Sequence, residues 1–241
     1  MPLLLLGGTG EARALAARLH PDIEIISSLA GRVPDPALPV GPVRIGGFGG
    51  ADGLRQWLQD NQIDAVVDAT HPYAATITAT AAQVCHELGM AHLVLARPAW
   101  PTDGATVVAS DRAAADHVAR EGFERIFLTT GRSGTQAFVG SRAWFLIRAV
   151  TTPDLATLPQ RHQMLLSRGP YHLEGESALL ADHHIDMLIT KNSGGAMTRP
   201  KLDAAAALGI PVLMIDRPAL PAGVDRVGAV AEADAWVRTR V

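Results

Sequence analysis

The 241-residue chain has little cysteine, little lysine and little net charge, and each scarcity excludes a class of protein. Its one cysteine, Cys85, cannot form an internal disulfide or a zinc site of paired cysteines. The net charge of −3 differs from the excess positive charge of proteins that bind nucleic-acid phosphates. The sequence has neither the roughly 20-residue apolar run of a membrane span nor the basic start of a signal peptide. We expect a soluble, cytoplasmic protein that binds neither nucleic acid nor membrane.

What the sequence does contain is apolar side chains, at 48% of residues against 19% charged. This balance predicts a packed core and excludes intrinsic disorder. The length suits one large domain or two small ones.

Short apolar runs alternate with alanine-rich segments along the chain. The run Leu3–Leu6 is typical of a buried strand, and Gly10–Leu19 has the spacing of an amphipathic helix. Further strands are predicted at 23–27, 43–45, 65–68, 92–95, 125–129, 144–148, 187–190 and 212–215. Strands that alternate with helices form parallel sheets through βαβ crossovers, so the predicted fold class is α/β.

An internal sequence similarity, here called the echo, indicates that the chain has two related halves. Residues 88–101 align without gaps on residues 208–221, and half of the positions are identical. Chance similarity between two helix–strand units is the alternative reading. The echo favours two Rossmann-like parallel-sheet domains, 1–100 and 101–241, which face each other across a cleft. Ligands of open α/β sheets bind at the carboxyl ends of the strands, so we look for functional residues there.

The motif GGTGEAR joins the first strand to the first helix. Its glycines allow a phosphate to approach the backbone, and a helix N-terminus favours an anion, so Gly8, Thr9, Gly10 and Glu11 are predicted to bind a nucleotide cofactor. Arg13 stands where the dinucleotide fingerprint has its third glycine. A glycine turn without a ligand is the alternative.

The second strand ends without an acidic residue. NAD-binding domains place an acid there for the ribose, whereas an arginine accommodates the 2′-phosphate of NADP. Here Ser28, Gly31 and Arg32 follow the strand. A hydroxyl and a guanidinium suit a dianionic phosphate, so the sequence favours NADP(H) over NAD(H). An ordinary loop arginine is the alternative.

Polar residues also follow the strand at 65–68. Asp68, Thr70 and His71 end it beside the glycine turn, and we predict that they contact the cofactor. His71 is in addition the candidate catalytic residue, although a lone histidine at a helix start can be structural.

The second half repeats the pattern of strand, polar turn and helix. Thr130 and Gly131 are grouped with the cofactor residues, and the turns with Tyr171 and with Lys191 are candidates to reach the cleft. The chain has two lysines, Lys191 and Lys201, and both lie in this half.

Several catalytic signatures are absent. Neither tyrosine has the lysine four residues on that short-chain dehydrogenases use, and the P-loop, the nucleophile elbow and the H-E-x-x-H motif are missing. His183, His184 and Asp186 are better explained as a solvated helix end than as a metal site. We therefore predict no metal.

Eight segments occur in order along the chain: GGTGEAR, SLAGR, DATHPYA, ARPAW, LTTGR, GPY, TKNSGG with PKLDAA, and LGIPVLMIDRP. Together they resemble the precorrin-6A reductase family of cobalamin biosynthesis. DATHPYA and TKNSGG are the more specific motifs, and residues 33–41 and the C-terminal tail carry little of the likeness. The resemblance implies a two-domain reductase that uses NADPH to reduce one double bond of precorrin-6A, giving precorrin-6B.

A tetrapyrrole rich in carboxylates needs cations and polar turns. The predicted substrate residues are Arg132, Arg148, Arg168, Tyr171, Lys191, Asn192 and Ser193. His71 would donate or relay the proton, unless the macrocycle is already protonated. The open alternatives are the cobalt-containing substrate, another NADP-dependent oxidoreductase and an NADP-sensing module. No feature predicts association, so we expect a monomer.

Overall fold

A computed structural model describes residues 2–31 and 36–240. Contacts divide the chain into two compact units. The first unit comprises the residues up to Pro98 and those from Pro218 onward, and the second is Ala99–Arg217. The predicted second domain, which ran to residue 241, is therefore corrected: the segment from Pro218 belongs to the first unit.

Twelve strands and seven α-helices lie in these residues. The strands are β1 (Leu3–Leu6), β2 (Ile25–Leu29), β3 (Val43–Ile45), β4 (Ala65–Asp68), β5 (Ala91–Leu95), β6 (Ala105–Val108), β7 (Arg125–Leu128), β8 (Trp144–Ala149), β9 (His162–Leu166), β10 (Met187–Lys191), β11 (Val212–Ile215) and β12 (Asp225–Val227). The helices are α1 (Gly10–Leu19), α2 (Ala51–Asp60), α3 (Ala75–Leu88), α4 (Asp111–Glu121), α5 (Leu173–Asp182), α6 (Pro200–Ala207) and α7 (Val230–Arg238). Within the described ranges, none of the helices has the length and apolar character to span a bilayer.

The strands form two six-stranded parallel sheets. Sheet A, in the first unit, has the order β12-β5-β4-β1-β2-β3, and sheet B, in the second, has the order β6-β11-β10-β7-β8-β9. The strand order reverses direction between β1 and β4 and between β7 and β10, the points at which ligands of doubly wound sheets bind. The predicted α/β class with two Rossmann-like sheets is confirmed. The cleft stays a prediction.

The two sheets exchange their sixth strands. β6 follows β5 along the chain but pairs with β11 in sheet B, and β12 follows β11 but pairs with β5 in sheet A. The echoing segments, residues 88–101 and 208–221, lie at these two crossings. The pairing of β12, together with the packing of α7 on α1, is the physical reason why the C-terminal segment belongs to the first unit.

Sheet A is buried on both faces, which explains the unbroken apolar run of β1. Leu3 and Leu5 pack on the side of α1 and α7, whereas Leu4 and Leu6 pack on the side of α2 and α3. Because every pairing in this sheet is parallel, the strands all end at one edge, here called the carboxyl edge of sheet A. Sheet B has a corresponding carboxyl edge.

Candidate cofactor and substrate site

The turn between β1 and α1 is open to a ligand. Gly8 has a φ of +107°, which glycine adopts readily, and a Cβ atom at this position would point into open space. The Thr9 hydroxyl accepts from the N–H of Ala12 at 3.1 Å and donates to the carbonyl of Ala69 at 2.7 Å. Thr9 therefore caps α1 and ties this turn to the one after β4. Within the described residues the first two N–H groups of α1 have no protein acceptor, so this helix end fits a phosphate.

Glu11 lies in the first turn of α1, where a bare carboxylate would repel an anionic ligand. The Arg97 guanidinium, just past the end of β5, donates to it at 2.9 Å. This ion pair neutralises the carboxylate, so the Glu11 side chain does not oppose a phosphate at the N–H groups of Gly10 and Glu11.

The end of β2 lies beside β1 and β3. Ser28 is buried and in register with Leu6, and its hydroxyl accepts a 2.9 Å hydrogen bond from Nη1 of Arg44 on β3. Gly31 follows with a φ of +70°. Arg32, the predicted partner of a 2′-phosphate, lies outside the described residues. Arg44 is a cation at this edge that sequence reasoning missed.

The end of β4 is held by a buried carboxylate. Asp68 accepts from the N–H and hydroxyl of Thr70, at 2.9 and 2.6 Å, and from the hydroxyl of Thr78 at 2.6 Å. Asp68 thus shapes the turn that presents His71, which is exposed. Nδ1 of His71 accepts from the N–H of Tyr73 at 3.3 Å, so in the neutral ring Nε2 carries the proton.

The turn after β7, in the second unit, buries its threonine. The Oγ1 of Thr130 and the Oδ1 of Asp111 have no hydrogen-bond partner among the described residues. Both atoms lie within 2.5 Å of where a Cβ atom on Gly134 would stand, so only glycine fits there. Thr130 therefore points inward, whereas Gly131, with a φ of +74°, leads to the exposed Arg132.

A buried charge cluster lies behind the carboxyl edge of sheet B. The Nη atoms of Arg148 donate to Glu176 at 2.8 and 2.7 Å, and its guanidinium lies 4.0 Å from the ring centre of Tyr171. Lys201 is 4% exposed, and its ammonium donates to the carbonyl of Thr198 at 2.9 Å. Burial and the Arg148 charge lower the pKa of Lys201 to about 7, while Glu176 opposes this shift. Arg148 is buried, paired with Glu176 and packed against the ring of Tyr171. Its contact with substrate stays a prediction.

Asn192, another predicted substrate residue, holds the segment that crosses between the units. Its side chain accepts from the N–H of Trp100 at 2.8 Å and donates to the carbonyl of Trp100 at 3.1 Å. The Trp100 indole donates to the carbonyl of Gly195 at 2.9 Å, and Arg217 donates to the Asn192 carbonyl at 2.7 Å. Asn192 therefore organises the turn after β10, and its contact with substrate stays a prediction.

The remaining predicted residues lie nearer the surface of the second unit. Arg132 and Arg168 are exposed, and Lys191, Ser193 and Tyr171 are half-buried. Apolar side chains are exposed in or beside the same turns, at the ends of β8 and β9, at the start of α5 and before α6: Val150, Leu166, Leu173 and Met197. The N–H of Tyr171 donates to the carbonyl of Met197 at 3.0 Å, so the turns after β9 and β10 are in contact. This edge combines cations with apolar surface.

The structure thus brings the described first-unit candidates together at the carboxyl edge of sheet A and most second-unit candidates to that of sheet B. Two doubly wound parallel sheets with polar, glycine-containing turns at these edges place the chain in the Rossmann class of α/β proteins.

Comparisons with known proteins specify the family. The model for the precorrin-6x reductases CbiJ/CobK matches residues 2–238. The precorrin-6A reductase of Mycobacterium tuberculosis is 66% identical over 235 residues, which cover 98% of this chain and 96% of that protein. The corresponding enzyme of Rhodococcus erythropolis is 55% identical over 242 residues, with coverage of 98% and 97%. A solved structure of the precorrin-6A reductase CobK superposes with a TM-score of 0.90 at 35% identity, covering 100% of this chain and 97% of that one.

The chain belongs to the precorrin-6x reductase family. The resemblance seen in the sequence motifs is confirmed. Membership of a reductase family implies an oxidoreductase with a nicotinamide cofactor.

Proposed function

We propose that the chain reduces one double bond of precorrin-6A with NADPH and forms precorrin-6B in cobalamin biosynthesis. The observation that carries this proposal is the family match over residues 2–238 of a chain whose first sheet offers an open, glycine-lined helix N-terminus. The cofactor, when bound, supplies the hydride.

The first unit would hold the cofactor. The open backbone at Gly8 and the N–H groups of α1 that have no acceptor among the described residues fit the pyrophosphate, and the Glu11–Arg97 pair removes the charge that would oppose it. At the end of β2, Ser28 and Arg32 are placed by sequence where the 2′-phosphate of NADPH would bind. The absence of an acid after this strand is what favours NADPH over NADH.

The second unit would bind the macrocycle. A precorrin is a large ring with apolar edges and many carboxylates, so it needs an apolar surface flanked by cations. The exposed Leu166 and Met197 supply apolar surface, while Arg132, Arg168 and Lys191 supply positive charge in the adjoining turns. Arg148 packs against the ring of Tyr171 and so supports the turn after β9.

His71 would place the proton that accompanies the hydride. Because Nδ1 accepts from the backbone, the proton of the neutral ring is on Nε2, and the exposed ring can present it to a ligand. A macrocycle that is already protonated would make this role unnecessary.

The test is NADPH oxidation with purified protein and precorrin-6A, compared with its cobalt complex and with NADH as reductant. We expect the fastest turnover with precorrin-6A and NADPH. Preference for the cobalt complex would move the chain to the anaerobic route, and oxidation of NADPH only with small carbonyls would refute the substrate class. Arg32→Ala should weaken NADPH much more than NADH, and equal losses would refute the assignment of the 2′-phosphate.

A further inference from the structure

The third strand, β3, carries Arg44 beside the predicted site of the adenosine half of the cofactor. We propose that Arg44 is a specificity-determining residue whose guanidinium, together with the Ser28 hydroxyl, binds the 2′-phosphate of the adenosine half of the cofactor. This inference rests on the proposed function and deepens it, because it names a second cation for the group that separates NADPH from NADH.

The position of Arg44 in sheet A supports this proposal. Arg44 on β3 is the register partner of Ser28 on β2, and both residues lie near the carboxyl edge of sheet A. In dinucleotide-binding sheets the ribose hydroxyl groups that carry or lack the phosphate lie at the end of the second strand. Gly31, in the turn after β2, approaches β3 closely, since a Cβ there would stand 3.1 Å from a methyl group of Ile45. Gly31 therefore lies against the end of β3, the strand that carries Arg44.

The Arg44 guanidinium is held rigidly by its neighbours. Nη1 of Arg44 donates to the carbonyl of Gly46 at 2.9 Å, and Nη2 donates to that of Gly47 at 3.0 Å. The guanidinium carbon lies 3.8 Å from the ring centre of Phe48 and 5.5 Å from that of Trp57. Because the planar group is already fixed, binding an anion would cost little side-chain entropy.

The Arg44 guanidinium has charge and hydrogen-bonding capacity that the described residues do not use. Across residues 2–31 and 36–240 no carboxylate forms an ion pair with Arg44, and two of its five N–H groups have no acceptor. Burial lowers the pKa of this guanidinium. The Ser28 oxygen accepts from Arg44, which leaves the Ser28 proton to donate elsewhere. A phosphate dianion is a strong acceptor for such groups.

The experiment measures binding directly, without the substrate. The purified full-length protein is titrated calorimetrically with adenosine 2′,5′-bisphosphate and with adenosine 5′-monophosphate, which lacks the 2′-phosphate. The wild type should prefer the bisphosphate. Arg44→Met keeps the side-chain stem over Phe48 and should weaken bisphosphate binding by about 10- to 100-fold, the range for a lost hydrogen bond to a charged group, without changing monophosphate binding.

The matched control is Arg55→Met, which removes a guanidinium of the same unit that pairs with Asp52 and Glu87. It should leave both affinities unchanged. If Arg44→Met fails to fold by circular dichroism, Ser28→Ala takes its place, with a smaller loss confined to the bisphosphate.

The possible outcomes distinguish failure of this inference from failure of the proposed cofactor. Equal weakening of both ligands, or of neither, in Arg44→Met would overturn the inference and leave the proposed cofactor standing, as would an unchanged bisphosphate affinity in Ser28→Ala. A wild type that does not prefer the bisphosphate would refute NADPH itself, and this inference with it.

Discussion

Replacing the buried Lys201 should change how stability depends on pH. Its cluster holds two cations, Arg148 and Lys201, against one carboxylate, Glu176. The Lys201 ammonium has one hydrogen bond, to the carbonyl of Thr198, and lies 4.6 Å from the ring centre of Trp100. Lys201→Met keeps most of the volume, removes the unbalanced charge and leaves the Arg148–Glu176 pair intact.

The sign and size follow from the shift in pKa. The pKa of Lys201 falls from an ordinary 10.5 to about 7 on folding. Between these values the unfolded chain holds a proton that the native chain lacks, so native stability rises with pH by about 1.4 kcal/mol per pH unit. Below about pH 7 both states are protonated, and the native state bears a cost of about 5 kcal/mol at most.

Lys201→Met avoids this cost but loses a hydrogen bond and a cation–π contact, each worth about 1 kcal/mol. We therefore expect the variant to be about 2–3 kcal/mol more stable than the wild type at about pH 6, and this gain to disappear by about pH 9.

Urea unfolding at several pH values checks this prediction. Fluorescence reports on both units, through Trp100 and Trp144 in the second and Trp57 and Trp236 in the first, and circular dichroism reports on the whole chain. The matched control is Lys201→Arg, whose guanidinium keeps its charge at every pH tested. The stability of this variant should therefore not rise between about pH 7 and about pH 9. It should stay at the low value that the buried charge imposes. Stability differences from the wild type that stay constant with pH would refute the reasoning.

Three further changes test other features. Gly53→Ala would place a Cβ atom 1.7 Å from the carbonyl oxygen of Phe48, so a substitution that usually stabilises a helix should here cost about 2 kcal/mol or more, and a raised melting temperature would contradict this. Glu176→Gln leaves the Arg148 guanidinium buried without its carboxylate and should destabilise the chain by about 3–5 kcal/mol in urea, so an unchanged midpoint would count against the buried pair. His71→Ala should lower kcat by about 100-fold, and an unchanged turnover would remove His71 from the mechanism.

The interior strands could be predicted from the sequence, whereas most edge strands could not. β1, β4 and β11 have the predicted bounds, because strands buried on both faces need unbroken apolar runs. β6, β9 and β12 were missed, and all three lie at sheet edges with partly exposed side chains. A half-exposed strand of three to five residues has no such run, and its partner lies far away in the chain.

The candidate site shows a similar division. Turns that follow buried strands were found, because a glycine or polar residue after an apolar run is visible in the sequence. The partners of Arg148 and Asn192 were not, since Glu176 and Trp100 come from distant segments. Arg44 was missed because its importance depends on the register between β2 and β3, which no local pattern encodes.

The exchange of sixth strands has a consequence for synthesis on the ribosome. The second unit is one continuous stretch, Ala99–Arg217, so all of its strands have been made before the chain is finished. The first unit needs β12 and α7, which are translated last. The half that begins the protein is thus completed after the half that follows it, and until then β5 is an open edge available for mispairing.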